Sequence, residues 1–166
     1  MPNENEIYQL LKPYVEELGW VVLGGEPPGG TDHIPVIELK DPTNLDGSSK
    51  GSKKIDLVFF KNNNFLLLEL KENFAQSDVD KLDDIVSSNI WRKSFFNAIR
   101  DKSIHLRHNI PLTEEDESQY HLIKSLGFNK KDNLSLSNYV IFHVGVNNNV
   151  EIDFGSNIID TIKNLF

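Results

Sequence analysis

Residues 53–71 read KKIDLVFFKNNNFLLLELK, and this stretch limits the possible folds more than any other. Two runs of β-branched, aromatic and other large apolar residues, Ile55 to Phe60 and Phe65 to Leu70, flank the turn-forming Lys61-Asn62-Asn63-Asn64. That pattern predicts a β-hairpin. If those residues form the loop, Phe60 faces Phe65, Val58 faces Leu67, and Asp56 faces Glu69 across the ladder. Side chains alternate along a strand, so Lys71 joins both carboxylates on one face. Two carboxylates and an ammonium are therefore expected at one end of the hairpin.

One face of the hairpin carries Val58, Phe60, Phe65 and Leu67, and the other carries Ile55, Leu57, Phe59, Leu66, Leu68 and Leu70. Strands apolar on both faces lie inside a sheet covered on both sides. Facing like charges are destabilising, and burial raises the cost unless a cation or proton compensates. Lys71 can neutralise only one of the two carboxylates. A divalent cation held by Asp56 and Glu69 would balance them, and hard oxygen ligands suit Mg²⁺ or Mn²⁺.

Asp56, a spacer of twelve residues, then Glu69-Leu70-Lys71 at the end of an apolar strand resembles the PD-(D/E)XK nuclease superfamily, which includes many restriction endonucleases and DNA-repair nucleases. The resemblance implies that Asp56, Glu69 and the Leu70 carbonyl hold the metal and that Lys71 orients or activates the attacking water. Ile55 stands where the motif has Pro, which leaves the ligands unchanged. The family commonly adds a Glu from its first helix. Here the slot just after the first core residue of that helix holds Tyr8, and Glu4, one turn earlier on the same side, is favoured over Glu6, which points to the opposite flank and suits a capping role. The competing account is a surface salt bridge between Lys71 and one carboxylate on an ordinary hairpin.

A chain of 166 residues is expected to form one domain spanning residues 1–166, and it can bury roughly two-thirds of its unfolded surface. With no Cys, disulfides and thiolate metal sites are excluded. The first residues, MPNENE, lack a basic region followed by an apolar one, and no apolar run approaches membrane-spanning length, so a cytoplasmic location away from membranes is expected. A net charge of −8 argues against non-specific coating of nucleic acid. It does not exclude a nuclease, because the charge is uneven: residues 113–117, TEEDE, are acidic, while Lys50, Lys53 and Lys54 arrive just before Asp56 on a polar loop.

In chain order, a helix is predicted over 3–18 with Asn3 and Glu6 as a capping box and Gly19 ending it. Trp20 to Leu23 and Pro35 to Lys40 read as strands, separated by the Gly- and Pro-rich GGEPPGGTDH. That segment lacks the ending of a phosphate-binding loop. After the hairpin, Ser77 or Asp78 caps a helix to about residue 103, hinged at Ser87-Ser88-Asn89, with Val79, Leu82, Val86, Ile90, Trp91, Phe95 and Ile99 facing a core. The basic run that follows the hinge offers Arg92, Lys93 and Arg100 as grips on a nucleic-acid backbone, against the plainer account of a solvated face. Thr113 is expected to cap a helix through Leu126, closed by Gly127. Tyr139 to Val146 and Val150 to Phe154 read as strands around an Asn turn, and Ser156 starts a last helix.

The fold class expected is α/β, a mixed sheet flanked by helices, and the resemblance makes it restriction endonuclease-like. The function expected is Mg²⁺- or Mn²⁺-dependent hydrolysis of phosphodiester bonds in nucleic acid, DNA before RNA because most of the family acts on it. A homodimer or a partner protein would supply specificity. The alternatives are an inactive relative that binds nucleic acid or protein, and an unrelated α+β interaction protein.

Overall fold

The computed structural model describes residues 2–30, 32–44, 50–129 and 135–166. Helices α1 (Glu4–Glu17), α2 (Gln76–Ser87), α3 (Asn89–Asp101), α4 (Ile104–Arg107) and α5 (Asp160–Lys163) accompany eight strands. These are β1 (Val21–Gly24), β2 (Glu38–Leu39), β3 (Lys53–Lys54), β4 (Leu57–Lys61), β5 (Asn64–Leu70), β6 (His121–Asn129), β7 (Tyr139–Val144) and β8 (Val150–Phe154). Six strands form one mixed sheet in the order β1-β4-β5-β6-β7-β8, while β2 and β3 pair separately. The β5–β6 and β6–β7 pairs are parallel, and the other neighbours in the large sheet are antiparallel.

The hairpin has the expected register, with Phe60 opposite Phe65, Val58 opposite Leu67 and Leu57 opposite Leu68. Its loop is tighter than expected. Lys61 pairs with Asn64, leaving a two-residue turn in which Asn62 and Asn63 have φ of 47° and 62°. Positive φ at both central residues matches the right-handed twist of the strands, and Asn tolerates it better than most residues. The buried Asn64 reinforces the turn by donating its side-chain N–H to the carbonyls of Lys61 and Asn62.

Both faces of the sheet are covered. On one face α1 lays Ile7, Tyr8, Leu11 and Val15 over Leu57, Phe59, Leu66, Leu68 and Leu70. On the other, α2 and α3 bring Val79, Leu82, Ile85, Phe95, Phe96 and Ile99 against Val58, Phe65 and Leu67. Ile55 belongs to this second cluster, opposite to simple alternation, because the regular strand begins only at Leu57. The capping box of Asn3 and Glu6 forms, with bonds of 2.8 and 2.9 Å. The hinge also forms: Ser88 is extended, and its hydroxyl accepts from the Trp91 N–H to start α3. The N-cap of α2 is Ala75, not Ser77 or Asp78, and Ile90 is exposed.

The helix expected over Thr113–Leu126 is not present. Asp116–Gln119 make one short 3₁₀ turn, and from His121 the chain is the central strand β6. The sequence hid this strand because its face under α1 carries Ser125 and Gly127 in place of large apolar residues. A Cβ on Gly127 would sit 2.4 Å from Leu11 Cδ1, so this bare patch is where α1 seats Leu11. The Ser125 hydroxyl donates to the Leu67 carbonyl at 2.9 Å. Smaller differences are a β2 reduced to Glu38–Leu39, paired with an unforeseen β3, and a last helix confined to α5.

The loop after β1 presses on the start of β4. The Glu26 N–H lies 3.1 Å from the Ile55 carbonyl and 3.0 Å from that of Asp56. A Cβ on Gly25 would come within 2.0 Å of the Asp56 carbonyl oxygen. The obstacle is backbone and cannot rotate away. Gly25→Ala is therefore expected to destabilise the fold by about 1–3 kcal/mol, read as a lower denaturation midpoint at unchanged slope.

Candidate active site

Beyond Leu57 the hairpin ladder leads to Asp56 opposite Glu69, at the end away from the Asn62-Asn63 turn. The Asp56 N–H lies 3.4 Å from Glu69 Oε2, and Asp56 Oδ2 accepts the Leu70 N–H at 2.8 Å. In an extended residue the N–H and C=O leave on the same edge. The Leu70 carbonyl therefore shares the edge on which its N–H meets Asp56, while the next N–H, of Lys71, turns to the Gly127 carbonyl on β6. Two carboxylates and one carbonyl thus lie along the edge of β5 that β4, which begins at Leu57, leaves open, while the other edge stays paired with β6.

Glu69 is only 2% exposed. Burial pushes its carboxyl well above the usual carboxylate range, and the hydrogen bond and charge of Asp56 push it further, against the pull of Lys81. Lys81, from α2, sets its ammonium against Glu69 Oε1 and donates to the Lys54 carbonyl at 2.9 Å. Lys71, expected to serve Asp56 and Glu69 directly, makes its ion-pair contact with Glu4 Oε2 at 4.0 Å. Burial alone would lower the Lys71 ammonium, but Glu4, Asp78, Asp56 and Glu69 together hold it above its ordinary value.

Two further acids complete the cluster. Asp78, in the first turn of α2, is buried, and burial followed by the charge of Asp56 raises its carboxyl against Lys71 and Lys81. Glu4 is raised by burial and by Asp56, Asp78 and Glu72, against Lys71. Of the two glutamates weighed on α1, Glu4 comes to the site and Glu6 caps the helix. The Tyr8 hydroxyl, where the resemblance implies a Glu, donates to Asp32 at 2.7 Å, and Lys12 pairs with the same carboxylate at 3.2 Å. Asp32 is thus held along α1.

The site opens into a cleft of about 510 Å³ whose lining includes Lys53, Lys54, Asp56, Lys81, Glu26 and Asp84. The rim is mixed, not positive. Lys53 pairs with Asp84 at 3.5 Å and lies over the Trp91 ring, and Lys54 pairs with Glu26 at 3.4 Å. The basic loop before Asp56 is described only in part, because residues 45–49 lie outside the described residues. Arg92, Lys93 and Arg100 are elsewhere. Arg92 donates to the Tyr120 carbonyl, and Lys93 and Arg100 pair with Glu117. Tyr120 packs on Phe60 and Phe65 beside the hairpin turn. That end is roughly 20 Å from Leu70, counting about 3.3 Å per strand residue.

Among the described residues, no three His, Asp or Glu side chains are grouped so as to hold a metal ion. The donor set at the hairpin end is two carboxylates and a main-chain carbonyl. Such a set fits a hard divalent cation that keeps several waters, as Mg²⁺ does. Comparison of the chain with protein-family models, curated proteins and solved structures finds no match.

Lys81 and Asp78 are the site residues that sequence reasoning missed as such. Their signal was present in their spacing of three, which puts both on one flank of α2 next to the buried Leu82.

The raised carboxyls fix a pH dependence. A carboxyl raised in the fold binds a proton more tightly there than in the unfolded chain, so its contribution to stability falls as pH rises above the ordinary glutamate value of 4.5. The carboxylates held low, Asp32, Asp83 and Asp116 among them, act below that window. Metal-free protein is therefore expected to lose stability from about pH 4.5 towards neutrality. Glu69→Gln should flatten that slope in melting curves across the range and raise stability at neutral pH.

Proposed function

We propose that this protein is a metal-dependent nuclease of the PD-(D/E)XK kind, hydrolysing phosphodiester bonds in nucleic acid, with DNA as the first substrate to test. The observation that carries the reading is the meeting of Asp56 and Glu69 at the buried end of the hairpin, with Asp56 bonded to the Leu70 N–H and Lys71 next in the chain. The sequence α1, β1, hairpin, α2–α3 and a further strand agrees with the core order that the resemblance implies. No helix among the described residues is long and apolar enough to cross a membrane, and the proposal takes the enzyme to be cytoplasmic.

Asp56, Glu69 and the Leu70 carbonyl would hold Mg²⁺ or Mn²⁺. Bound there, the ion would act as a Lewis acid, lower the pKa of a coordinated water and stabilise charge on the leaving oxygen. Asp56, tied to the Leu70 N–H, also shares a hydrogen bond with Glu69, which holds the two carboxylates together. Lys71, its ammonium held charged by four surrounding acids, donates hydrogen bonds and is unsuited to taking a proton, so its role is to orient the attacking water and the phosphate. Glu4 fixes the Lys71 side chain from α1. Lys53 and Lys54 reach the cleft, and their half-exposed ion pairs cost little to open for a phosphate. Arg92, Lys93 and Arg100 lie too far away to touch the same phosphate. A second copy or a partner protein would supply specificity.

One observation favours a second reading, a domain of this shape that binds without cutting. Lys81 already neutralises Glu69, as a purely structural charge cluster requires. Digestion of plasmid, single-stranded DNA and RNA with Mg²⁺ or Mn²⁺ separates the two. Metal-dependent cleavage that drops at least about 100-fold in Lys71→Ala and in Asp56→Asn supports the nuclease. Asp56→Asn should also melt at the same or a higher temperature without metal, because it relieves the facing charges. A destabilised Asp56→Asn in a protein that cleaves nothing would leave the binding domain.

A further inference from the structure

We propose that Lys81 is a positioning residue of this site, the internal counter-charge that a divalent cation must displace from Glu69. The inference rests on the metal-binding part of the reading above. Glu69 is the most buried acid of the cluster, with its side chain 1% exposed, and a bare carboxylate there needs a cation or a proton. Lys71 is directed to Glu4, so the cation in contact with Glu69 is Lys81.

The Lys81 side chain is suited to exchange. Its Nζ is in ion-pair contact with Glu69 Oε1 and donates to the Lys54 carbonyl, fewer fixed bonds than the three N–H donors of an ammonium can make. The side chain is 24% exposed and lines the open cleft. Its backbone is fixed in α2, where the neighbouring Leu82 is fully buried. A four-carbon stem on a fixed helix can swing its charge outward with no movement of the fold. A dication on Asp56 and Glu69 repels an ammonium in the same contact, and the swing takes Lys81 into the cleft beside Lys54, where a phosphate would lie. Affinity for the metal is then set by how firmly Lys81 holds Glu69.

The test is direct Mn²⁺ binding, by electron paramagnetic resonance of the free ion, to wild type, Lys81→Met, Lys81→Gln, Lys81→Arg and Asp56→Asn. Displacement predicts at least about tenfold tighter Mn²⁺ binding by Lys81→Met or Lys81→Gln, near wild-type binding by Lys81→Arg, and loss of binding in Asp56→Asn. A second measurement needs no variant: amine-directed labelling of wild type, read by mass spectrometry, should rise several-fold at Lys81 when Mn²⁺ is added and stay level at the exposed Lys163. A merely structural Lys81 predicts equal or weaker Mn²⁺ binding on its removal and unchanged labelling, and either result overturns the inference while the metal site stands. Mn²⁺ bound by neither wild type nor the Lys81 variants overturns the metal reading and this inference with it. Tighter binding in the variants of a protein that cleaves nothing supports the displacement and overturns only the nuclease.

Discussion

Two carboxylates face each other across a hairpin end that the fold buries, and much of the neighbouring structure answers that repulsion. The ladder from Lys61 and Asn64 to Leu57 and Leu68 ends one residue short of Asp56 and Glu69 and so brings the two carboxylates side by side. Water cannot screen Glu69, so the compensation must be local: a shared proton, an ammonium or a metal ion. Lys81 supplies one charge from α2, Lys71 stands among the acids on the other side, and Glu4 links Lys71 to α1. Four carboxylates and two ammonium groups converge where two helices and two strands meet.

The framework around this cluster is rigid for identifiable reasons. Gly25 brings the loop after β1 onto the Asp56 peptide, and Gly127 with Ser125 leaves room for Leu11 of α1 directly on the sheet. Both faces of the hairpin are buried against different partners, so a one-residue slip would swap its side chains between two differently packed cores. The charged end is therefore positioned by contacts that have nothing to do with charge. Such a division between a rigid apolar scaffold and a strained polar end is what a site needs if its groups are to hold their geometry before a ligand arrives.

The hairpin register, the capping box on α1 and the break at Ser88 were legible because each is governed by local chemistry: paired apolar runs, a side-chain cap and a cluster of small polar residues. β6 was not, because its small residues make sense only against Leu11, a contact more than a hundred residues away in sequence. The same limit applies at the site. Asp56, Glu69 and Lys71 lie on adjoining strand ends and could be placed by counting. Lys81 depends on where α2 turns after the sheet, and the remoteness of Arg92, Lys93 and Arg100 depends on which end of the hairpin α3 approaches.

The central claim is that the Asp56–Glu69 pair is a site for a divalent cation, and anomalous diffraction from crystals soaked in Mn²⁺ tests it most directly. The account predicts a peak at about 2.1 Å from oxygens of Asp56 and Glu69 and from the Leu70 carbonyl, with Lys81 withdrawn into the cleft. Crystals that show no peak there, with Lys81 still against Glu69, would contradict it.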